Sequence, residues 1–377
     1  MNVGTPPIKI ALLTSSRADF GIYLPLLKKL KADQAFALEI IAFGTHPSRE
    51  NGFSLQQIFD EGYKVAIAID TTPKGDHPAD ISRAMAQVMA EMTMVWETTQ
   101  YDLIIALGDR FEMFAAVASA LPFNIQIVHI HGGEVTLGAI DDAMRHSITH
   151  MAQLHFTVTE TYKNNVIRMR GSAKGVYNTG SLSIDNLSSM HLADVELLKK
   201  QTGIDFSRPT LLVTLHPETI FFENNANHVQ VLTEALKKLQ QYQQLITLPN
   251  ADTASAIIRQ QLLKYAESHD NVFTFENLGA LVYLSAMKHA MAIVGNSSSG
   301  FAEAAFFPKW VINIGNRQDG RLRTDNILDV PFDATQIIKA VEIAVSKPVP
   351  YVGPVYGMGN AAERMINILK NECNGNE

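Results

Sequence analysis

Leu103-Ile104-Ile105-Ala106-Leu107-Gly108-Asp109-Arg110-Phe111-Glu112 is an apolar run with no polar interruption that ends on a glycine and opens directly onto charge. A strand with one face in water alternates apolar and polar residues. A strand buried on both faces does not, so this run predicts a mainly parallel sheet covered by helices on both sides. The same pattern recurs on either side of it. Ile8-Lys9-Ile10-Ala11-Leu12-Leu13 leads into Ser15-Ser16-Arg17-Ala18-Asp19-Phe20-Gly21, and a mostly apolar stretch at 125–130, broken by Gln126 and His129, leads into His131-Gly132-Gly133-Glu134. Strands are expected at 8–14, 37–43, 64–69, 102–107, 125–130 and 154–158. Helices are expected near 21–33, 79–100, 111–121, 140–152 and 160–170. In the first of these, Leu24, Leu27 and Leu30 form a stripe opposite Lys28 and Lys31.

The second half repeats the plan, with strands expected at 210–215, 244–248, 271–275, 291–294 and 310–314. Helices are expected at 227–241, 253–268, 278–288, 300–306 and 334–346, and 360–371 reads as a final helix. Three strand ends carry polar clusters: Leu215-His216-Pro217-Glu218-Thr219, Gly295-Asn296-Ser297-Ser298-Ser299-Gly300 and Gly315-Asn316-Arg317-Gln318-Asp319-Gly320-Arg321. Turn-like Gly180-Ser181 and Ser207-Arg208-Pro209 bracket a linker. The expected organisation is an N-terminal Rossmann-like domain at 1–190, a C-terminal one at 191–360, and a helix and tail at 361–377 that can pack back on the first domain. Ligands of open α/β sheets bind outside the carboxyl ends of the strands, so a cleft between two such halves is the expected place for a substrate.

Composition narrows the function. The 377 residues suffice for two domains, and a hydrophobic content of 46% is that of a soluble globular protein. No apolar stretch approaches the roughly 20 residues that a membrane-spanning helix requires. The chain enters a strand pattern without a basic stretch and apolar leader, which predicts a cytoplasmic protein. The single cysteine, Cys373, leaves no internal disulfide framework and no cysteine-cluster metal site. A formal charge of −7 argues against nucleic-acid binding, which needs a basic face.

The strand-end residues suggest a phosphorylated substrate beside acid/base groups. Gly295 to Gly300 follows a strand and opens a helix, and the free N–H groups of a helix start suit a phosphate, with Ser297, Ser298 and Ser299 adding hydroxyls. An ordinary N-cap serine turn explains the same residues. Glu303, one turn in, is placed to accept hydrogen bonds from a ribose diol. Arg17 and Arg317 follow strands at equivalent positions of the two halves, and a guanidinium suits a diphosphate. Asp109, Glu134 and the pair Asp141/Asp142 come from neighbouring strand ends and supply candidate acids and bases. Capping of the helix at 140–152 is the competing role for Asp141 or Asp142. Asp141 and Arg145 share a helix face, as a functional pair or a surface ion pair. His216 can donate to a phosphate or act as an acid/base. His129-x-His131 and His146-x-x-x-His150 have metal-ligand spacings. The second lacks the glutamate of the zinc helix, with Ser147 in its place, and His129 in an apolar strand reads as a hydrogen-bonded core residue.

Together these segments resemble the UDP-N-acetylglucosamine 2-epimerase family, from Ser15 to about Asp329. The hydrolysing branch, which feeds sialic acid and related nonulosonic acid biosynthesis, is the nearer match. The most specific stretch is His131-Gly132-Gly133-Glu134 followed by Ile140-Asp141-Asp142 and Arg145-His146; Arg17-Ala18-Asp19-Phe20-Gly21 and Gly295 to Gly300 also fit that branch. The resemblance implies two Rossmann-like domains in a GT-B arrangement with the active site in the interdomain cleft. It implies that Arg17, His216, Ser297, Ser298 and Arg317 face the diphosphate, that Glu303 binds ribose and that Arg321 is a second arginine. Glu276-Asn277-Leu278 would flank the uracil. Asp109, Glu134 and Asp141 or Asp142 match the acid/base carboxylates, with Arg145 beside them. The expected partners are a UDP-sugar and UDP, with no metal, no cofactor, no nucleic acid and no membrane, in a homodimer or homotetramer. The implied activity is hydrolytic 2-epimerisation of UDP-N-acetylglucosamine. The alternatives are the same chemistry on UDP-2,4-diacetamido-2,4,6-trideoxyglucose, a non-hydrolysing epimerase, a GT-B glycosyltransferase, and a silent nucleotide-sugar sensor.

Overall fold

The computed structural model describes residues 6–50, 52–249, 254–276 and 278–374. The chain divides into two compact units. The first comprises Met1–Glu134, Asp141–Ser188 and Tyr356–Glu377; the second comprises Val135–Ile140 and Ser189–Val355. Among the described residues, no helix is long and apolar enough to cross a membrane.

The first unit is built on a seven-stranded sheet. Its strands are β1 (Ile8–Thr14), β2 (Phe36–Ala42), β3 (Val65–Ala68), β4 (Leu103–Leu107), β5 (Gln126–Ile130), β6 (Leu154–Thr157) and β7 (Val176–Asn178). The order is β3-β2-β1-β4-β5-β6-β7, with all pairings parallel. The direction of winding reverses between β1 and β4, the switch point where such sheets bind ligands. One face of the sheet packs Leu12, Ile105, Val128 and Phe156 against Phe20 and Leu27, and against Met365 and Leu369 of the terminal helix Ala361–Asn374. The other face packs Leu13, Ile41 and Ile104 against Met92, Trp96, Val117 and Ile148. All five residues of β4 are buried, as an uninterrupted apolar run requires.

The first helix runs over Arg17–Ala32, four residues earlier than its apolar stripe suggests. The cause is the capping residue Ser16, whose backbone N–H donates to Asp19 Oδ1 at 2.8 Å, while Ser15 N–H donates to Asp19 Oδ2 at 2.7 Å. Pro25 lies inside this helix and has no N–H for the Gly21 carbonyl one turn back. The side chain of Asn186 donates to that carbonyl at 2.8 Å instead, so the orphaned acceptor is satisfied from outside the helix.

The second unit holds a six-stranded parallel sheet of β8 (Thr210–Thr214), β9 (Gln243–Thr247), β10 (Val272–Phe275), β11 (Ala292–Gly295), β12 (Trp310–Ile314) and β13 (Ile327–Val330), in the order β10-β9-β8-β11-β12-β13. Its switch point lies between β8 and β11. In its core Val213, Ile246, Val294 and Ile312 pack against Val229, Leu232, Leu236 and Ile337.

His129 and His155 are fully buried in neighbouring strands of the first sheet. His129 Nε2 donates to the Gly108 carbonyl at 2.8 Å, and its Nδ1 accepts from Thr149 Oγ1 at 3.1 Å. Burial pushes the His129 ring down to about 4 and the His155 ring down to about 3. An unfolded histidine titrates near 6.5, so between the two values the unfolded chain binds more protons than the folded one. Stability contributed by the neutral rings is complete above about pH 6.5 and falls by about 1.4 kcal/mol per pH unit per ring as the pH drops towards the folded values. Urea midpoints measured across this window should show that slope. His129→Gln, which keeps an amide donor towards Gly108, should lose about one proton from it. An unchanged slope in the variant would mean that His129 is not held neutral.

Candidate active site

In the first unit the exits of β4 and β5 and the start of helix Asp141–Met151 converge on one guanidinium. Arg145 is 3% exposed. Its Nη2 is ion-paired with Asp109, its Nη1 donates to the Glu134 carbonyl at 3.0 Å, and Nη1 lies 3.8 Å from Asp142 Oδ1. Asp109 follows the positive-φ Gly108 at the end of β4, and Glu134 ends the turn after β5. Asp141 and Asp142 form the first turn of their helix, where carboxylates favour the dipole. Asp142 also meets His146 Nε2 at 3.3 Å. Arg145 is therefore no surface ion pair but a buried hub, and its ion pairs reach Asp109 and Asp142.

Glu134 is 3% exposed, and His131 Nδ1 lies 2.8 Å from its Oε1. His131 has φ +70°, left-handed backbone that few side chains adopt. Gly133 follows with φ +80°, and a Cβ there would strike the Tyr162 carbonyl. The turn His131-Gly132-Gly133-Glu134 thus folds back on itself so that an imidazole and a carboxylate three residues apart meet. Arg17 opens the first helix, half-buried at the exit of β1.

In the second unit Asn296 ties the strand exits together. It is 1% exposed. Its Oδ1 accepts from His216 N–H at 2.7 Å, and its Nδ2 donates to the His216 carbonyl at 2.9 Å. Its own carbonyl accepts from Gln318 Nε2 at 2.8 Å and from Arg317 Nη1 at 3.3 Å. The exits of β8, β11 and β12 are pinned in this way. Gly295 has φ +137°, and a Cβ would overlap the Thr214 backbone, so only glycine lets β11 exit there. Buried Glu218 accepts from Asn316 N–H at 3.3 Å; burial pushes its carboxyl up despite that bond and the nearby Arg317.

The helix expected at 300–306 is shorter. Ser298–Gly300 is a 3-10 turn and the helix proper is Ala302–Phe306. Gly300 packs on Val311 so closely that a Cβ would lie 2.9 Å from its Cγ1, and the chain makes a tight turn there before the helix starts. A helix of five residues carries little macrodipole, so the anion-binding capacity of this loop rests on the N–H groups and hydroxyls of one turn. Ser298 is exposed. Ser299 Oγ lies 2.5 Å from the Tyr283 hydroxyl and 3.0 Å from Ser297 Oγ, so it is engaged within the protein. Glu303 is half-buried in the short helix. The Arg321 guanidinium stands 6.0 Å from the Phe301 ring. Glu276 is exposed and ion-paired with Arg259. Asn277 lies outside the described residues.

The six residues Val135–Ile140 fold with the second unit. Leu137 N–H donates to the Asp319 carbonyl at 3.0 Å, and Ile140 N–H donates to Thr219 Oγ1 at 3.0 Å. A Cβ on Gly138 would lie 2.5 Å from Arg317 Cα, so glycine is what lets this segment press on the Arg317 backbone. Sequence reading misses this contact, together with Asn296, Gln318 and the role of His131. The paired glycines of His131-Gly132-Gly133-Glu134 are the one local signal of a tight turn.

Removing the hub cation would take the guanidinium away from Asp109, from Asp142 and from the Glu134 carbonyl at once. Arg145→Met should destabilise the protein by roughly 3–5 kcal/mol, the usual cost of breaking a buried pair. Arg145→Lys should recover part of this, because a lysine keeps the charge and loses the fork that reaches Asp109 and the Glu134 carbonyl separately. Chemical unfolding followed by circular dichroism measures both. Equal stabilities for wild type and Arg145→Met would show that the guanidinium is not needed to hold these loops.

The UDP-N-acetylglucosamine 2-epimerase family profile matches residues 28–370. The GDP/UDP-N,N'-diacetylbacillosamine 2-epimerase (hydrolyzing) of Campylobacter jejuni is 35% identical over 322 residues, covering 85% of this chain and 84% of that protein. The UDP-N,N'-diacetylbacillosamine 2-epimerase (hydrolyzing) of Legionella pneumophila is 29% identical, covering 97% and 99%. Among solved structures, the UDP-GlcNAc 2-epimerase from Neisseria meningitidis bound to UDP-GlcNAc superposes with a TM-score of 0.80 at 18% identity, over 97% of this chain and 100% of that one. That likeness speaks for the shared fold of two parallel-sheet α/β units. With the profile spanning nearly the whole sequence and the strand-end residues gathered as described, this chain belongs to the UDP-N-acetylglucosamine 2-epimerase family.

Proposed function

We propose that the protein is a hydrolysing 2-epimerase of a UDP-2-acetamido sugar. The observation that carries this reading is the buried Arg145 hub, which gathers Asp109, Asp142 and the Glu134 backbone at the strand ends of the first unit. Carboxylates so arranged suit proton removal and proton delivery at carbon. The hydrolysing type and the substrate are supported by the names of the Campylobacter and Legionella relatives, which favour a 2,4-diacetamido-trideoxy sugar over UDP-N-acetylglucosamine.

In the proposed reaction a carboxylate takes the proton from C2. The C–H electrons form the C1=C2 double bond, and the C1–O bond breaks with its pair leaving on UDP. Water then adds, hydroxyl to C1 and a proton to the opposite face of C2. The products are UDP and the free 2-epimeric sugar. The C2 proton is weakly acidic, so stabilising the departing diphosphate is the main task. Arg17 in the first unit, and Arg317, His216 and the Ser297–Ser298 turn in the second, are assigned to it. Glu303 is assigned to the ribose and Arg321 to a supporting charge. Glu134, the most deeply buried of the carboxylates, and Asp109 are assigned to proton transfer, with Asp141 or Asp142 as the third group.

Incubation with each of the two UDP-sugars, with mass spectrometry of the released sugar, tests the reading. Acceptor-independent UDP release and one solvent deuterium at C2 are expected. A UDP-linked product would mean a non-hydrolysing epimerase, and acceptor-dependent release without deuterium would mean a glycosyltransferase. Asp109→Asn and Glu134→Gln should each lower kcat by about 10²-fold or more, the usual contribution of general acid–base groups, with UDP affinity retained. Normal turnover in both variants would remove these carboxylates from the chemistry.

A further inference from the structure

We propose that His131 is a positioning residue for the Glu134 carboxylate, its side chain presented from a left-handed backbone position that is uncommon for residues other than glycine. The inference rests on the assignment of Glu134 to proton transfer. Two histidines of one strand-and-turn segment make the contrast. His129 engages both ring nitrogens with protein groups, the Gly108 carbonyl and the Thr149 hydroxyl, as a structural histidine does. His131 engages Nδ1 with Glu134 Oε1 at 2.8 Å, whereas its Nε2 is buried with no hydrogen-bond partner among the described residues. A carboxylate oxygen accepts, so Nδ1 carries the proton of this contact and donates it to Glu134.

The backbone points the same way. At φ +70° glycine would fit with least strain, and the next two residues are in fact glycines. A side chain in this region persists where its surroundings over-determine it, and such positions cluster at functional sites. The carboxylate three residues on is the group that the ring contacts. Proton transfer at carbon needs the carboxylate lone pairs held in one direction, and a hydrogen bond from a rigid ring contributes to holding them there.

The experiment separates orientation from folding. His131→Gly removes the hydrogen bond and relieves the backbone, so its thermal midpoint should stay within a few degrees of wild type. Its kcat should fall by about 10²-fold while KM changes by less than about threefold, because binding groups are untouched. His131→Asn tolerates the left-handed backbone and places its amide nitrogen where Nδ1 lay, so it should recover at least about tenfold of the lost kcat. In a Glu134→Gln background, His131→Gly should have no further effect, since the ring acts through that carboxylate. A fully active His131→Gly, an asparagine variant no better than the glycine one, or additive losses in the double variant would each overturn the proposal. If Glu134→Gln itself turns over normally, the assignment of Glu134 fails and the inference falls with it; if Glu134→Gln is inactive while His131→Gly is active, only the inference fails.

Discussion

A guanidinium removed from water must be matched by acceptors, and that requirement at Arg145 organises the first unit's strand ends. The cost of burying one cation is large, and it is offset only when several acceptors meet it in good geometry. Here they come from three separate stretches of chain: Asp109 after β4, the Glu134 carbonyl after β5, and Asp142 on the helix of Arg145 itself. A shift of any one of these stretches alone would take an acceptor away from the buried guanidinium. The result is a rigid array of carboxylates built on loops, with the rigidity supplied by a residue that need not touch a substrate.

The second unit solves the same problem with a neutral group. Asn296 has both donor and acceptor, and it engages both on the backbone of His216 while its carbonyl holds Gln318 and Arg317. An amide suits this place. A carboxylate has no N–H for the His216 carbonyl, and an apolar side chain would leave both backbone groups of His216 unmatched. The segment around Gly138 adds a steric constraint on the same loop, since it lies against the Arg317 backbone where no Cβ would fit. Side chain, backbone and the missing Cβ all act on the position of one arginine.

The parallel sheets are legible in the sequence because apolar runs such as 103–107 have no alternation to misread. The polar strand ends are legible because each run stops abruptly on glycine or charge. The three-residue β7 and the edge strand β13 are not, being too short or too exposed to leave a periodic signal. The start of the first helix is displaced from its apolar stripe because Ser16 and Asp19 set it through capping bonds. In the second unit the loop at 297–300 reads as a helix start, but Gly300 packs on Val311 of the neighbouring strand, and a contact between residues on different elements leaves no local pattern to read. Spacing alone points Arg145 at Asp141. The ion pairs from Arg145 to Asp109, on another strand end, and to Asp142 leave no such local signal, because helix rotation is set by core residues such as Ile148 and Thr149.

Asp109 and Glu134 sit at adjacent strand ends with different partners, and the difference bears on the proposed chemistry. Asp109 faces Arg145, a permanent cation that has no proton to give up. Glu134 faces an imidazole, a group that can share or release a proton. Elimination followed by hydration requires one group to take a proton from C2 and another to give one to its opposite face. Two identical carboxylates in identical surroundings would have no reason to divide that labour. A carboxylate locked to arginine and a carboxylate coupled to histidine do, and unlike environments around paired acids are how one site runs both halves of a proton-transfer cycle.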